Sequence, residues 1–291
     1  MSQPNLSLVV LAWNNLELTK SCVESLRKHT DPSYELIVVD NGSHDGTSQL
    51  AIDVADVAVL NQGNLGFAAG MNAGLATASG DYVAFINNDT RFPEHWAARI
   101  LETFESHPSA GIVLPAVTKA GNPVSVRETP GDSIVQLVPF AEFPSGVVYV
   151  LRRVIIQSLG GWNESYQQAS AEDLDLAFTV WAHGLDVVLD ERVLIEHESQ
   201  ASVRYLAGRK ALYRRNLDQF LDTWQDPEHH RRLLGAIDDE AFNHNLERAQ
   251  TAVIWIRRML EARDTANDLK QELRALTDDP KPARRWLRSR S

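Results

Sequence analysis

Tyr82-Val83-Ala84-Phe85-Ile86-Asn87-Asn88-Asp89-Thr90 is the stretch from which the rest of the chain can be read. Its mostly apolar opening predicts a buried strand, and polar side chains follow without a break. Groups at the C-terminal end of a buried strand are held rigidly, and open α/β sheets bind their ligands there. Asp89 offers a hard carboxylate oxygen suited to Mg²⁺ or Mn²⁺. Asn87 offers an amide oxygen two positions earlier, on the same side of the chain. The same residues also fit a polar turn in which Asp89 or Thr90 caps a helix starting near Pro93.

Upstream, the pattern that produces this strand occurs three more times. Leu6–Leu11, Glu35–Asp40 and Val57–Leu60 are nearly continuous apolar runs, as in parallel sheets covered on both faces. Between them, Leu16–Lys28 has helical spacing through Leu18, Cys22, Val23 and Leu26. A short helix runs toward Ile52, and Phe67–Ala78 reads as a small-residue helix. Strand and helix alternating to residue 90 predict a parallel sheet with right-handed crossovers. Each strand ends in polar residues (Asn14, Asp40, Asn64 and Asn87 to Asp89), which places them on one rim. The first turn, Ala12-Trp13-Asn14-Asn15, has no glycine, so a dinucleotide fingerprint is excluded, and no G-x-x-x-x-G-K loop is present.

Downstream, a helix over Pro93–Ser106 leads to a strand at Gly111–Pro115. Residues 118–133, rich in Gly, Pro, Thr and Ser, predict a mobile loop or hairpin over the site. A strand over Val147–Leu151, a helix over Arg152–Leu159 and the pair Gly160-Gly161 precede Trp162-Asn163-Glu164. The acidic group Glu172-Asp173-Leu174-Asp175 opens a helix, a strand follows at Val187–Leu189, and His197 lies beyond it. From about residue 203 the chain reads as helical, with an apolar stripe through Leu246, Ala249, Val253, Ile256 and Leu260 that continues to Leu269 and Leu273. That stripe would pack on the main domain or on a second subunit, which makes a homodimer one expectation. The tail from Lys281 is basic, with Trp286 and Leu287 as apolar anchors. It reads either as solvated or as weakly attracted to an anionic membrane surface.

The 291 residues carry a net charge of −11, which argues against a nucleic-acid partner bound by bulk electrostatics. Cys22 is the single cysteine, so neither an intrachain disulfide nor a cysteine zinc site can form, and a buried inert thiol is expected. No signal-peptide pattern or membrane span is read, so the expected location is cytoplasmic, with the inner membrane face reachable through the basic tail.

Val38-Val39-Asp40-Asn41-Gly42-Ser43, with Asp45-Gly46-Thr47, resembles the opening motif of glycosyltransferase family 2. Asn64-Leu65-Gly66-Phe67-Ala68-Ala69-Gly70-Met71-Asn72 is similar to that family's second motif, and Asn87-Asn88-Asp89 to its metal-binding motif. Gly160-Gly161-Trp162-Asn163-Glu164 followed by Glu172-Asp173-Leu174-Asp175 resembles its acceptor-side block. The match runs over about residues 5 to 200, and its Asn-x-Asp and Glu-Asp-x-Asp-Leu forms resemble rhamnosyltransferase-like members.

The resemblance implies the GT-A fold, an α/β architecture with one mostly parallel central sheet flanked by helices. It also implies inverting transfer from a nucleotide-diphosphate sugar such as dTDP-rhamnose or a UDP-sugar, helped by Mn²⁺ or Mg²⁺. The acceptor would be a glycan, glycolipid or small glycoside. Residues 1–202 would form the GT-A domain, with a nucleotide-binding half at 1–90 and an acceptor half at 91–202. Residues 203–280 would be a helical C-terminal extension and 281–291 a basic tail. Asp89 and His197 would hold the metal. Asp173, with Glu172 beside it, would be the base, and Asp175 would face elsewhere on the helix. Asp40 would lie at the base or ribose of the nucleotide. Ala12, Trp13 and Asn14 would line that pocket, with Asn64, Gly66, Gly70, Asn72, Asn87 and Asn88 completing it. Many relatives carry an acid where this chain has Asn87, and a neutral amide holds a cation more weakly. Two other readings compete. A sugar-phosphate nucleotidyltransferase would want a basic, glycine-rich first loop, which is missing. A non-catalytic nucleotide-sugar-binding module used for assembly would have no need of a base.

Overall fold

A computed structural model describes residues 5–119, 122–123, 132–137, 146–168, 170–198, 208–226, 228, 247–254, 256–258 and 261–262. Its first half is the predicted alternation. Strands β1 (Leu6–Ala12), β2 (Tyr34–Asp40), β3 (Val57–Leu60) and β4 (Tyr82–Asn87) lie parallel in the order β3-β2-β1-β4. Helices α1 (Leu16–His29), α2 (Thr47–Val54) and α3 (Phe67–Leu75) make the crossovers. Because both faces are covered, alternate residues of one strand enter different cores. Val10, Ala84 and Ile86 pack with Cys22 and Leu26 of α1, whereas Val9, Val83 and Phe85 pack with Ala68 and Met71 of α3. The small residues of α3 let it lie close on the sheet: a Cβ at Gly74 would run into Val9.

The second half departs from simple alternation. The chain continues through β5 (Thr90–Arg91), α4 (Trp96–Ser106), β6 (Ala110–Lys119), β7 (Asn122–Pro123) and β8 (Ile134–Gln136). It then forms β9 (Val148–Arg152), α5 (Arg153–Ser158), α6 (Glu172–Ala182), β10 (Asp186–His197) and α7 (Arg209–Gln225). Among the described residues the sheet has ten strands, with the main order β3-β2-β1-β4-β9-β6-β10-β5. Parallel ladders carry most of the pairing, but β9 lies antiparallel to both β4 and β6, between them. The strand read from Val187–Leu189 extends through an irregularity between Asp190 and Leu194 to His197. There β10 pairs antiparallel with β5, with His197 opposite Thr90.

That pairing corrects the capping alternative for Asp89. Thr90 enters a strand, and α4 begins only at Trp96, preceded by His95 at φ 60° with no side-chain cap. Of the segment expected over the site, Asn122–Pro123 pairs with β6 and begins a hairpin, and most of the rest lies outside the described residues. Cys22 is fully buried, its thiol 3.5 Å from the Thr90 hydroxyl. Burial pushes the thiol up to about 12, so it is inert at ordinary pH.

A third apolar cluster joins α6 and α7 to the segment at 247–258. Phe178, Phe220 and Trp224 stack edge-on, with ring centroids about 5 Å apart for Phe178–Phe220 (5.0 Å) and Phe178–Trp224 (5.1 Å). Ala249, Ala252, Val253 and Ile256 bury against the same group. The described part of the C-terminal stripe is thus covered by this chain's own helices. Leu246, Leu260, Leu269, Leu273 and the basic tail lie outside the described residues. Among the described residues, no helix is long and apolar enough to cross a membrane.

Candidate active site

The C-terminal ends of β1, β2 and β4 are tied together by short polar loops. Asn14 and Asn15 both sit in the left-handed region, at φ 56° and 62°. Asparagine tolerates that region better than other non-glycine residues, which explains an Asn-Asn pair where glycine might be expected. The Asn14 N–H donates to the Ser43 hydroxyl at 2.7 Å, and its side-chain oxygen accepts from the His44 N–H at 2.9 Å. The Asn88 amide donates to the Thr19 hydroxyl at 2.8 Å and to the Asn14 carbonyl at 3.3 Å, closing the link from β4 to α1.

Asp89 and His197 meet on one side of this rim. Asp89 Oδ1 lies 3.2 Å from His197 Nε2, and both side chains are largely buried. Yet Nε2 has no hydrogen-bond partner, so the two atoms are close without being bonded to one another. They line a cavity of about 180 Å³ with Thr90, Thr118, Glu196 and Glu198. Two adjacent ligands of an octahedral ion at about 2.1 Å sit roughly 3 Å apart. The spacing and the orphaned imidazole nitrogen therefore fit a divalent cation held from two sides. Among the described residues no third His, Cys, Asp or Glu is placed to hold a metal with these two, although Glu196 and Glu198 line the same cavity, so other ligands would come from water and substrate.

The acids of α6 form the second focus. The chain enters this helix through Gln168, Ser170 and Ala171, all at positive φ (63°, 92° and 72°). Such backbone costs about 1 kcal/mol or more per residue and persists only where surrounding contacts impose it. Here the Phe67 N–H donates to the Gln168 carbonyl at 2.6 Å, and the Asn216 amide to the Gln167 carbonyl at 2.9 Å. Glu172 is 5% exposed, with Oε2 unpartnered. Burial first, then the neighbouring Asp173 charge, pushes its carboxyl up to about 8. Asp173 is partly buried and its carboxyl is also raised, to about 6, by desolvation. Its Oδ1 accepts the Leu174 N–H at 2.9 Å, and a Cβ at Gly146 would come within 2.5 Å of Oδ2. The Gly146 carbonyl in turn accepts the Asn87 amide at 3.3 Å. Asn87, Gly146 and Asp173 thus form one continuous wall from β4 to α6.

The profile of the family described as Glycosyl transferase family 2 matches residues 7–221. The chain belongs to glycosyltransferase family 2. It is 28% identical over 227 residues to a pre-mycofactocin glycosyltransferase of Mycobacterium tuberculosis, covering 73% of this chain and 46% of that protein. It is 33% identical over 107 residues to the glycosyltransferase EpsH of Bacillus subtilis, covering 35% and 31% of the two chains. This family 2 chain therefore spans less than half the length of these relatives. Its fold is that of the GT-A structures. Staphylococcus aureus TarS in complex with UDP-GlcNAc aligns at a TM-score of 0.62 and 14% identity, over 79% of this chain and 70% of that one. The Pyrobaculum calidifontis mannosyltransferase PcManGT, in complex with GDP-Man and Mn²⁺, aligns at 0.57 and 17% identity, over 98% and 84%.

Several residues of the family 2 chain expected at the nucleotide also make internal contacts. Gly66, at φ 90°, lies against the Gln168 backbone, and a Cβ at Gly70 would meet Leu11 at 2.5 Å. The Asn72 amide donates to the Trp162 carbonyl at 2.9 Å and to Glu164 at 2.7 Å, and its oxygen accepts the Trp162 N–H at 2.8 Å. Gly66 and Asn72 thus join the second motif to the 160–168 loop, Gly70 lets α3 lie on β1, and Asn88 ties β4 to α1. Asp40 is 1% exposed, and its carboxylate accepts from the Ser48 hydroxyl at 2.6 Å and from the Ser43 N–H, so here it shapes the β2–α2 turn. Ala12 is buried, Trp13 is half-buried on the first loop, and Asn64 is exposed, its side-chain oxygen accepting from Asn41 and the Gly66 N–H.

Two further residues belong to the site's framework. Asn41 donates to Asn64 at 3.1 Å and to the Gly66 carbonyl at 3.0 Å. It accepts from Asn61 at 3.0 Å and from the Leu65 N–H at 3.2 Å, joining two motifs through one side chain. Asp45 accepts the first N–H of α1, from Leu16, at 3.0 Å, supplying the cap that the helix lacks locally.

Proposed function

We propose that this chain moves a glycosyl group from a nucleoside-diphosphate sugar to a hydroxyl of a glycan, glycolipid or small glycoside, with inversion at the anomeric carbon. The observation that carries the reading is the partly exposed Asp173 joined across Gly146 to Asn87, on the same strand end as Asp89. Asp173 serves as the base. It takes the acceptor's proton as the acceptor oxygen bonds the anomeric carbon and the nucleoside diphosphate departs. A raised affinity for protons suits that task, because it offsets the helix N-terminus, which would otherwise make the carboxylate a poor base. Glu172 stays protonated near neutral pH, leaving the pair with a single negative charge.

Asp89 and His197 are the residues that would hold Mn²⁺ or Mg²⁺, with phosphate oxygens and water completing the shell. Such an ion neutralises the charge developing on the leaving diphosphate. Asn87, turned to the Gly146 carbonyl, keeps the wall between donor and acceptor sides in place instead of binding the cation. We place the donor among dTDP-rhamnose and the UDP-sugars, on the form of the acidic motifs.

The reading is tested by melting temperatures with UDP, GDP and dTDP, each with and without Mn²⁺, because a ligand of the folded state raises them. One nucleotide should stabilise strongly and only with the metal, and Asp89→Ala should erase the shift. Stabilisation that ignores the metal would remove Asp89 and His197 from their role. No response to any nucleotide would overturn the reading.

A further inference from the structure

Asp175 lies one turn into α6, 7% exposed, beside the acids assigned to chemistry. Its Oδ2 accepts the Asn163 amide at 3.0 Å. Its Oδ1 accepts the Tyr166 hydroxyl at 3.1 Å and the Trp224 indole N–H at 2.8 Å. The three donors come from two places far apart in sequence: the loop before α6, and α7. A carboxylate so buried is held as an anion only where several donors meet it. Apolar packing alone would join α7 to α6 more cheaply, as Phe178 and Phe220 already do. What the buried carboxylate adds is a fixed negative charge, immobile relative to Glu172 and Asp173.

We propose that Asp175 is a positioning residue of the Glu172–Asp173 pair, a charge anchored by Asn163, Tyr166 and Trp224 that makes α7 part of the catalytic apparatus. The inference rests on the transferase reading for what the pair does, but not for the arrangement itself. Repulsion from Asp175 is one of the causes that keep Glu172 protonated, after burial and Asp173. Among the described residues, the other titratable groups coupled to the pair are phenols. Tyr149 of β9 and Tyr166 are both held neutral by burial and by these carboxylates, so neither carries a competing charge. α7 contributes the indole of Trp224, which does not titrate. With Asp175 anionic and Glu172 uncharged, Asp173 is left as the accessible carboxylate of this turn.

The test is a pH titration of the Glu172 and Asp173 side-chain carboxyl ¹³C resonances in the full-length chain, with no ligand needed. Wild type is compared with Asp175→Asn, which removes the charge, and with Trp224→Phe, which keeps the charge and removes one donor. Glu172 in Asp175→Asn should titrate lower by about half a pH unit or more, while in Trp224→Phe it should not move downward. An unmoved Glu172 in Asp175→Asn would overturn the proposal. So would an equal downward shift in both variants, because loosening and water entry would then explain it without the charge. If Asp175→Asn fails to fold, Trp224→Phe alone decides, a downward shift overturning the proposal and a held value supporting it. Because no turnover is read, a missing transferase activity would not be mistaken for failure of this inference.

Discussion

At the scale of single residues, the two acids at the start of α6 separate by environment. Asp173→Asn should lower turnover by about 10²- to 10⁴-fold while preserving the nucleotide-induced rise in melting temperature. Glu172→Gln, which mimics the protonated acid, should keep clearly more turnover than Asp173→Asn. Equal losses would mean that Glu172 acts as an anion. Gly146 gives a sharper test of the wall, since its missing Cβ is what makes room for Asp173. Gly146→Ala should cost about 1–3 kcal/mol in a denaturant midpoint measurement and reduce kcat more than it changes donor affinity. The placing of Asp89 beside His197 at a strand end, and of Glu172 and Asp173 at the start of a helix, was legible in the sequence because acids after an apolar run mark such ends. Gly66, Gly70 and Asn72 carry the same motif signal, and the fold adds what the sequence did not show, their part in packing and loop attachment.

Among elements, α6 and the loops of the nucleotide half make the next predictions. Glu172 holds a proton in the folded chain up to about pH 8, against an ordinary value of 4.5. Between those values the folded state binds a proton that the unfolded chain releases. Stability from this group is therefore complete below about 4.5 and is lost as the pH rises toward 8. A melting-temperature series from pH 5 to 8 should slope downward with rising pH, and Glu172→Gln should flatten it. Asn41, bonded four ways between β2 and α3, should cost about 1–3 kcal/mol when replaced by alanine, read by urea unfolding. Strand positions through β4 were legible from apolar runs bounded by turn residues. The direction of β9 was not, because antiparallel and parallel strands buried on both faces share one apolar pattern. The two-residue β5 was also hidden, since it exists only by pairing with the end of β10. Asn41 gives no periodic signal, as its partners come from residues 61 to 66.

At the scale of the whole molecule, the described residues form one continuous sheet with a helical group locked onto α6. Trp224→Ala removes both a buried ring and a donor to Asp175. It should cost about 3–5 kcal/mol and lower the melting temperature of the whole domain. A melt in which the α/β part kept its wild-type midpoint would show α7 to be a mere appendage. The placement of β9 bears on how the chain is made. On the ribosome β4 is finished at residue 87, whereas the strand that covers its free edge does not begin until residue 148. At about 5–20 residues per second, that edge stays bare for roughly 3–12 seconds, with an apolar strand able to pair with any neighbour. The segment through β4 is thus a nascent chain in need of protection until β9 arrives. Expression of residues 1–90 alone should yield aggregates, and trigger-type chaperone holding should matter most in that interval.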